Sequence, residues 1–232
     1  MKRFYEKVDV TEVADGGWQV TLDGRGLKTV KGTPQIVPTR DLARELAREW
    51  SEQGEDMDTS QFVHRDQTDF AIDIVASDKG TAIDQMIKYA ETDTLCYRAD
   101  PDDALFARQQ SKWEPLLAKV EQSHGLKFTR VSGIIHREQP EATMASLRKL
   151  LQEKDAFTLA GMQTMAALSA SICVPLLALE DDAEPVSLWR AASLEEEWQA
   201  DLWGRDPQAE ERRAKRQEAF LSAFRWVQLS KQ

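Results

Sequence analysis

Apolar and polar residues alternate in the first part of the chain, then settle into helical spacing. Trp18, Val20 and Leu22 alternate with Gln19 and Thr21, the period of a half-buried strand. Asp23-Gly24-Arg25-Gly26 follows, with two glycines able to take positive φ, and Leu27 and Thr29 resume the alternation. Together these predict a β-hairpin, and Phe4, Val8 and Val10 supply an earlier strand of the same sheet. After Pro38, Thr39 is the expected N-cap of a helix running to about Gln53. Leu42, Leu46 and Trp50 fall four apart and form its apolar stripe, Arg40, Arg44 and Glu45 lie toward the other side, and Gly54 is the expected stop.

From about Thr68 the spacing turns helical. Phe70, Ile72, Ile74 and Val75 open a short segment that stops near Asp78-Lys79-Gly80, and Ile83, Met86, Ile87 and Ala90 give the next stripe. Further helices are expected over 105–120, with Pro115 as a kink or boundary, and around 147–151, 156–179, 187–203 and 207–229. Asp206-Pro207 is a start signal for the last of these, and residues 127–135 read as a brief strand-like interruption. The fold class that results is α+β. A small β-rich N-terminal domain with one inserted helix covers 1–75, and a larger α-helical bundle domain covers 76–232.

Residues 156–179 carry no charge and are long enough to span a bilayer. Thr158, Gln163, Thr164, Ser169 and Ser171 dilute the stretch, and Gly161 and Pro175 interrupt it. Its flanks are acidic, with Glu153 and Asp155 before and Glu180, Asp181 and Asp182 after. A helix buried all round within the bundle is the expectation, not membrane insertion.

Composition narrows the function. The 232 residues are 41% hydrophobic and include seven Trp and eight Phe, which supports a packed core and not a solvated chain. A net charge of −10 argues against nucleic-acid binding, which needs cations to replace counterions on phosphate. Cys96 and Cys173 share no metal or disulfide spacing and read as free buried thiols in a reducing compartment. Glu6, Asp9, Glu12 and Asp15 come too early for an Arg-rich presequence, so the expected location is the bacterial cytoplasm, or the mitochondrial matrix if a presequence has been removed.

Chemistry is sparse. His64, His124 and His136 are scattered and read as surface or loop histidines, and no nucleophile elbow or phosphate-binding loop occurs. Asp69 and Asp73, four apart, are an acid/base candidate but more simply cap or solvate a helix start. A hydrolase built on those two, or on Glu196 and Asp201, is the competing reading.

The most informative segment is Leu194 to Gly204. At about 100° per residue, Leu194, Trp198 and Leu202 share one face with Ala191 and are expected to enter the bundle. Glu196, Gln199 and Trp203 project together on the opposite side. A carboxylate, an amide and an indole grouped there resemble an anchor patch for a protein partner.

Here the chain resembles a known family, the ATP synthase assembly chaperones that bind the alpha subunit of the catalytic head. The matches run in order: Arg3-Phe4-Tyr5, Leu22-Asp23-Gly24-Arg25, Leu27-Lys28-Thr29, Leu42-Ala43 with Glu49-Trp50, and Ala71-Ile72-Asp73. Tyr89, Thr92-Asp93, Cys96-Tyr97-Arg98-Ala99, Gln109 and Trp113-Glu114-Pro115-Leu116-Leu117 continue the series. Glu195-Glu196, Trp198-Gln199 and Trp203-Gly204 complete it. The chain departs from the family in having Val30 where a proline is usual, and in 64–70. The resemblance implies a β domain followed by a helical one, no catalysis and no cofactor, and a client, the unassembled alpha subunit, whose beta-facing surface is shielded until beta arrives. It also aligns the family's functional acidic position with Glu196, and Glu195, Gln199 and Trp203 are carried beside it as partner-binding residues. Trp50, Asp23, Gly24 and Trp113 are expected to be structural.

Overall fold

The computed structural model describes residues 1–133 and 135–231. Strand β1 (Val8–Glu12) pairs antiparallel with β2 (Trp18–Leu22), in the register Val8↔Leu22 to Glu12↔Trp18. The opposite edge of β2 is shared by two short strands, β3 (Arg25–Gly26) and β4 (Ile36–Val37). The hairpin is the expected one, although its positive φ angles fall on Asp23 (49°) and Gly24 (78°), with Gly26 inside β3. Two consecutive positive φ values match the twist of a tight hairpin. The Asp23 carboxylate accepts from the backbone of Lys7 at 2.8 Å, which fixes the chain entering β1. Phe4 lies outside the sheet and is exposed.

Helix α1 (Arg40–Ser51) begins at Thr39, whose hydroxyl accepts from the Leu42 amide. Its apolar stripe packs on β1 and β2 and buries Leu42, Leu46 and Trp50. The helix closes at Glu52 in helical geometry, two residues before Gly54. Helix α2 (Val63–Phe70) starts five residues earlier than expected and widens into a π turn over Ala71–Val75. Then follow α3 (Lys79–Glu91), β5 (Tyr97–Arg98), α4 (Ala104–His124), β6 (Val131–Ser132) and α5 (Glu141–Gln152). Pro115 lies inside α4, which continues past it to Gly125. The expected strand over 127–135 is realised at Val131–Ser132, parallel to β5, and Ile134 lies outside the described residues.

The uncharged stretch forms two helices, α6 (Ala156–Ser169) and α7 (Cys173–Ala178), not one. Gly161 does not interrupt α6. It lets the helix approach Val227 so closely that a Cβ at this position would overlap that side chain. The break falls at Ala170, at φ 49°, and Pro175 sits in the first turn of α7, where a missing amide costs little. Among the described residues no helix is long and apolar enough to cross a membrane. Helices α8 (Pro185–Ala192), α9 (Leu194–Trp203) and α10 (Pro207–Ser230) complete the chain, with Ser193 separating α8 from α9.

Compactness groups these elements into two units that interleave along the chain instead of being cut once after 75. One comprises Met1–Thr81, Asp155–Gly161 and Ser222–Gln232, the other Ala82–Lys154 and Met162–Leu221. In the first unit, Trp50 packs between Tyr5 and Phe62 at centroid distances of 5.5 and 4.5 Å. The end of α10 joins it through Phe157 stacked on Trp226, whose indole N–H donates to Thr68, and through Arg225 on Glu45. His64 is buried here, with Nδ1 3.2 Å from Glu49 and Nε2 3.2 Å from Ser222, so it is not a surface histidine. In the second unit the Trp113 indole donates to the Ala191 carbonyl at 2.8 Å, tying α4 to α8. Asp93, fully buried, accepts from the Ser171 hydroxyl and from the Leu95, Ile172 and Cys173 amides, closing the break between α6 and α7. Cys96 and Cys173 are free and buried, and burial pushes both thiols up.

Candidate functional site

Helix α9 builds the site from a short sequence. Its first turn holds Glu195, Glu196 and Glu197, where carboxylates suit the positive end of the helix dipole. Its last turn ends at Gly204, whose amide donates to Ala200 and whose φ of 92° lets the chain leave sharply. Leu194 is buried, but the stripe expected to follow it into the bundle is covered only in part. Trp198 is half-buried, and Leu202 is 58% exposed. Packing therefore buries Leu194 at the start of α9 and leaves the side chains of Leu202 and Trp203 at its end open, although Arg108 of α4 reaches along the helix to Asp201 and the Trp198 ring.

On the opposite face Glu196, Gln199 and Trp203 line one cleft, together with Arg212, Arg213 and Arg216 of α10. At 79% exposure Trp203 is the most exposed large apolar side chain among the described residues. The Glu196 carboxylate accepts from the Arg216 guanidinium at 2.7 Å. Arg216 in turn donates to the Leu168 carbonyl at 3.0 Å and lies over the Trp189 ring. Both members of the Glu196–Arg216 pair are about half exposed, and solvent screens such a pair to less than about 1 kcal/mol. Its geometry is defined, yet it is easily exchanged for another partner.

Glu195 stands apart from this group. Its carboxylate accepts from the Gln109 amide at 2.6 Å, and partial burial raises its pKa, a shift the Gln109 hydrogen bond opposes. The arginines of α10 went unnoticed in the sequence, because contact between helices leaves no local period; Arg212-Arg213 and Lys215-Arg216 are the only trace.

The paired carboxylates considered for catalysis are engaged elsewhere. Asp69 accepts from Gln35 at 2.5 Å and from the Val30 amide, and Asp73 accepts from the Thr29 hydroxyl at 2.8 Å and the Lys31 amide. Both are buried and hold the loop between β3 and β4, instead of capping a helix start. Desolvation raises the Asp69 pKa; at Asp73 desolvation is outweighed by the hydrogen bonds from Thr29 and Lys31, and the pKa falls. Asp201 pairs with Arg108 and Arg205 at 3.3 and 3.2 Å. Among the described residues no group of three or more His, Cys, Asp or Glu side chains is placed to hold a metal ion.

What α9 offers is contact: an exposed indole, an amide and a loosely held carboxylate, the chemistry of a protein-docking surface. Comparison with known proteins gives this surface its setting. Residues 2–121 match the ATP12 chaperone protein family, and the chain belongs to that family, the ATP synthase assembly chaperones that its sequence resembles. It is 25% identical over 220 residues to the mitochondrial protein atp12 of Schizosaccharomyces pombe, spanning 88% of this chain and 74% of that one. The crystal structure of Atp12 from Paracoccus denitrificans superposes with a TM-score of 0.93 at 29% identity, covering 99% of this chain and 98% of that chain. The crystal structure of the Atu1473 protein of Agrobacterium tumefaciens superposes equally well at 34% identity, covering 99% of this chain and 86% of that chain.

Proposed function

We propose that the client of this chaperone is the unassembled alpha subunit of the ATP synthase catalytic head, and that the outer face of α9 is its contact. An unassembled subunit exposes apolar surface meant for its neighbours, which invites aggregation. A chaperone for such a surface must hold it specifically and yet release it when the beta subunit arrives. One aromatic anchor with a polar rim meets both demands. The observation that carries the reading is the exposed Trp203 in a cleft shared with Glu196 and Gln199. Trp203 supplies the buried area, Gln199 a directional hydrogen bond, and Glu196 a charge that trades Arg216 for a client group. The reaction is one of binding alone and calls for no nucleotide or metal. Its setting is the bacterial cytoplasm, or the mitochondrial matrix if a presequence has been removed.

The test is retention of free alpha subunit from a lysate by tagged wild type, Glu196→Lys and Trp203→Ala, with bound proteins identified by mass. Wild type is expected to retain alpha, and both variants much less. Equal retention by all three would move the contact elsewhere, and no alpha on wild type, with beta depleted, would remove the client assignment.

A further inference from the structure

A second cleft lies on the other side of α9, walled by α4 and α8, and encloses about 390 Å³. Its floor is apolar, made by Leu116, Ala191 and Leu194, and its rim carries Arg108, Lys112, Arg190 and a single carboxylate, Glu197. Arg108, Lys112 and Leu116 stand four residues apart on α4, so one row of that helix supplies two cations and an apolar contact. The cleft is preformed, since the Trp113–Ala191 and Gln109–Glu195 hydrogen bonds lock α4 to α8 and α9.

Charge singles this cleft out. The chain carries a net −10, and here three cations meet one carboxylate. Arg108 is engaged with Asp201 and the Trp198 ring. Lys112 and Arg190 are exposed and form no ion pair among the described residues. Two unpaired cations over an apolar floor are complementary to a segment that brings an apolar side chain flanked by carboxylates. A cleft of a few hundred Å³ takes one or two side chains, not a whole helix face.

We propose that this cleft binds an acidic, leucine-bearing peptide segment of a protein client, separately from the Trp203 face. The proposal rests on the reading of the chain as a chaperone with a protein client, but not on which surface Glu196 contacts. The probe is a fluorescein-labelled peptide with one leucine between aspartate pairs, titrated by anisotropy into the full chain at low salt. It is expected to bind wild type and Glu196→Lys alike, at least tenfold more weakly to Lys112→Glu/Arg190→Glu, and progressively less as salt rises. A milder pair, Lys112→Gln/Arg190→Gln, should lie between, and both pairs should keep the wild-type melting curve, since these side chains are exposed. A sister peptide with alanine for leucine should bind more weakly than the parent. Equal binding by the charge-reversed chain, or no binding by wild type, would overturn the proposal. So would displacement by inorganic phosphate or ADP at the peptide's own concentration, which would mark a small-anion site. Peptide binding that persists when alpha-subunit retention fails would sink the client assignment and leave this cleft standing.

Discussion

The neighbourhood of Trp50 and the outer end of α9 each place a tryptophan on a helix beside glutamates, and the two indoles end in opposite environments. Trp50 is 7% exposed, between Tyr5 and Phe62, and the Tyr5 hydroxyl donates to its carbonyl at 2.5 Å. Trp203 is 79% exposed, in an open cleft with three carboxylates, Glu196, Asp206 and Glu210, and three arginines. Burying a tryptophan removes on the order of 150–250 Å² from water, which makes the first a large contributor to folding. The second leaves most of that area exposed to solvent. The difference follows from what covers each helix. Sheet strands β1 and β2 lie against α1 along its stripe, whereas α9 leaves Leu202 and Trp203 exposed at its end.

The comparison is sharpened most by Trp50→Arg. A charge in the aromatic cluster should cost about 3–5 kcal/mol or more, a large part of the stability of a domain. Circular dichroism should show loss of cooperative melting in the first unit; a cooperative melt at the wild-type temperature would contradict the core assignment. Next in size is Asp93→Ala, which strands the Leu95, Ile172 and Cys173 amides and should cost about 3 kcal/mol in urea unfolding. An effect as small as that of the exposed Glu196 would mean that the carboxylate does not hold the α6–α7 break.

A smaller, pH-dependent effect is expected at Glu114. The hydrogen bond from Arg130 holds its pKa below the ordinary value, against desolvation and with help from Arg98. A lowered folded pKa contributes stability above the unfolded value of about 4.3, and that stability is lost as pH falls through the folded pKa. Glu114→Gln should therefore be less stable than wild type at neutral pH by about 1 kcal/mol, since the group is a third exposed, and the gap should close in acid. A gap independent of pH would deny the ion pair its part. Smallest of all is the stability effect of Trp203→Ala, within about 0.5 kcal/mol of zero, because the indole buries little in the free chain.

Local pattern carried much of this. The stripe of α1, the Asp23-Gly24 turn and the outward direction of Glu196, Gln199 and Trp203 are all periodicities of a few residues, and the resemblance to the chaperone family was carried by short motifs in order. What escaped is non-local. Leu202 reads as core because the stripe runs on, but in the fold it is 58% exposed. His64 reads as a scattered polar residue, and only folding brings Ser222 to it. Asp69 and Asp73 look like a pair on a helix, yet their partners Gln35 and Thr29 lie 34 and 44 residues earlier in the chain. Gly161 reads as an interruption because close helix contact leaves no sign in sequence.

The central claim is that the outer end of α9 is kept exposed for a client. It is tested most directly by titrating purified alpha subunit with wild-type chain and with Trp203→Ala at equal fold stability. The account predicts a loss of about 2 kcal/mol or more, roughly 30-fold in Kd, with an unchanged melting temperature. An unchanged Kd would mean that the most exposed indole in the molecule is not the anchor, and that the client is held elsewhere.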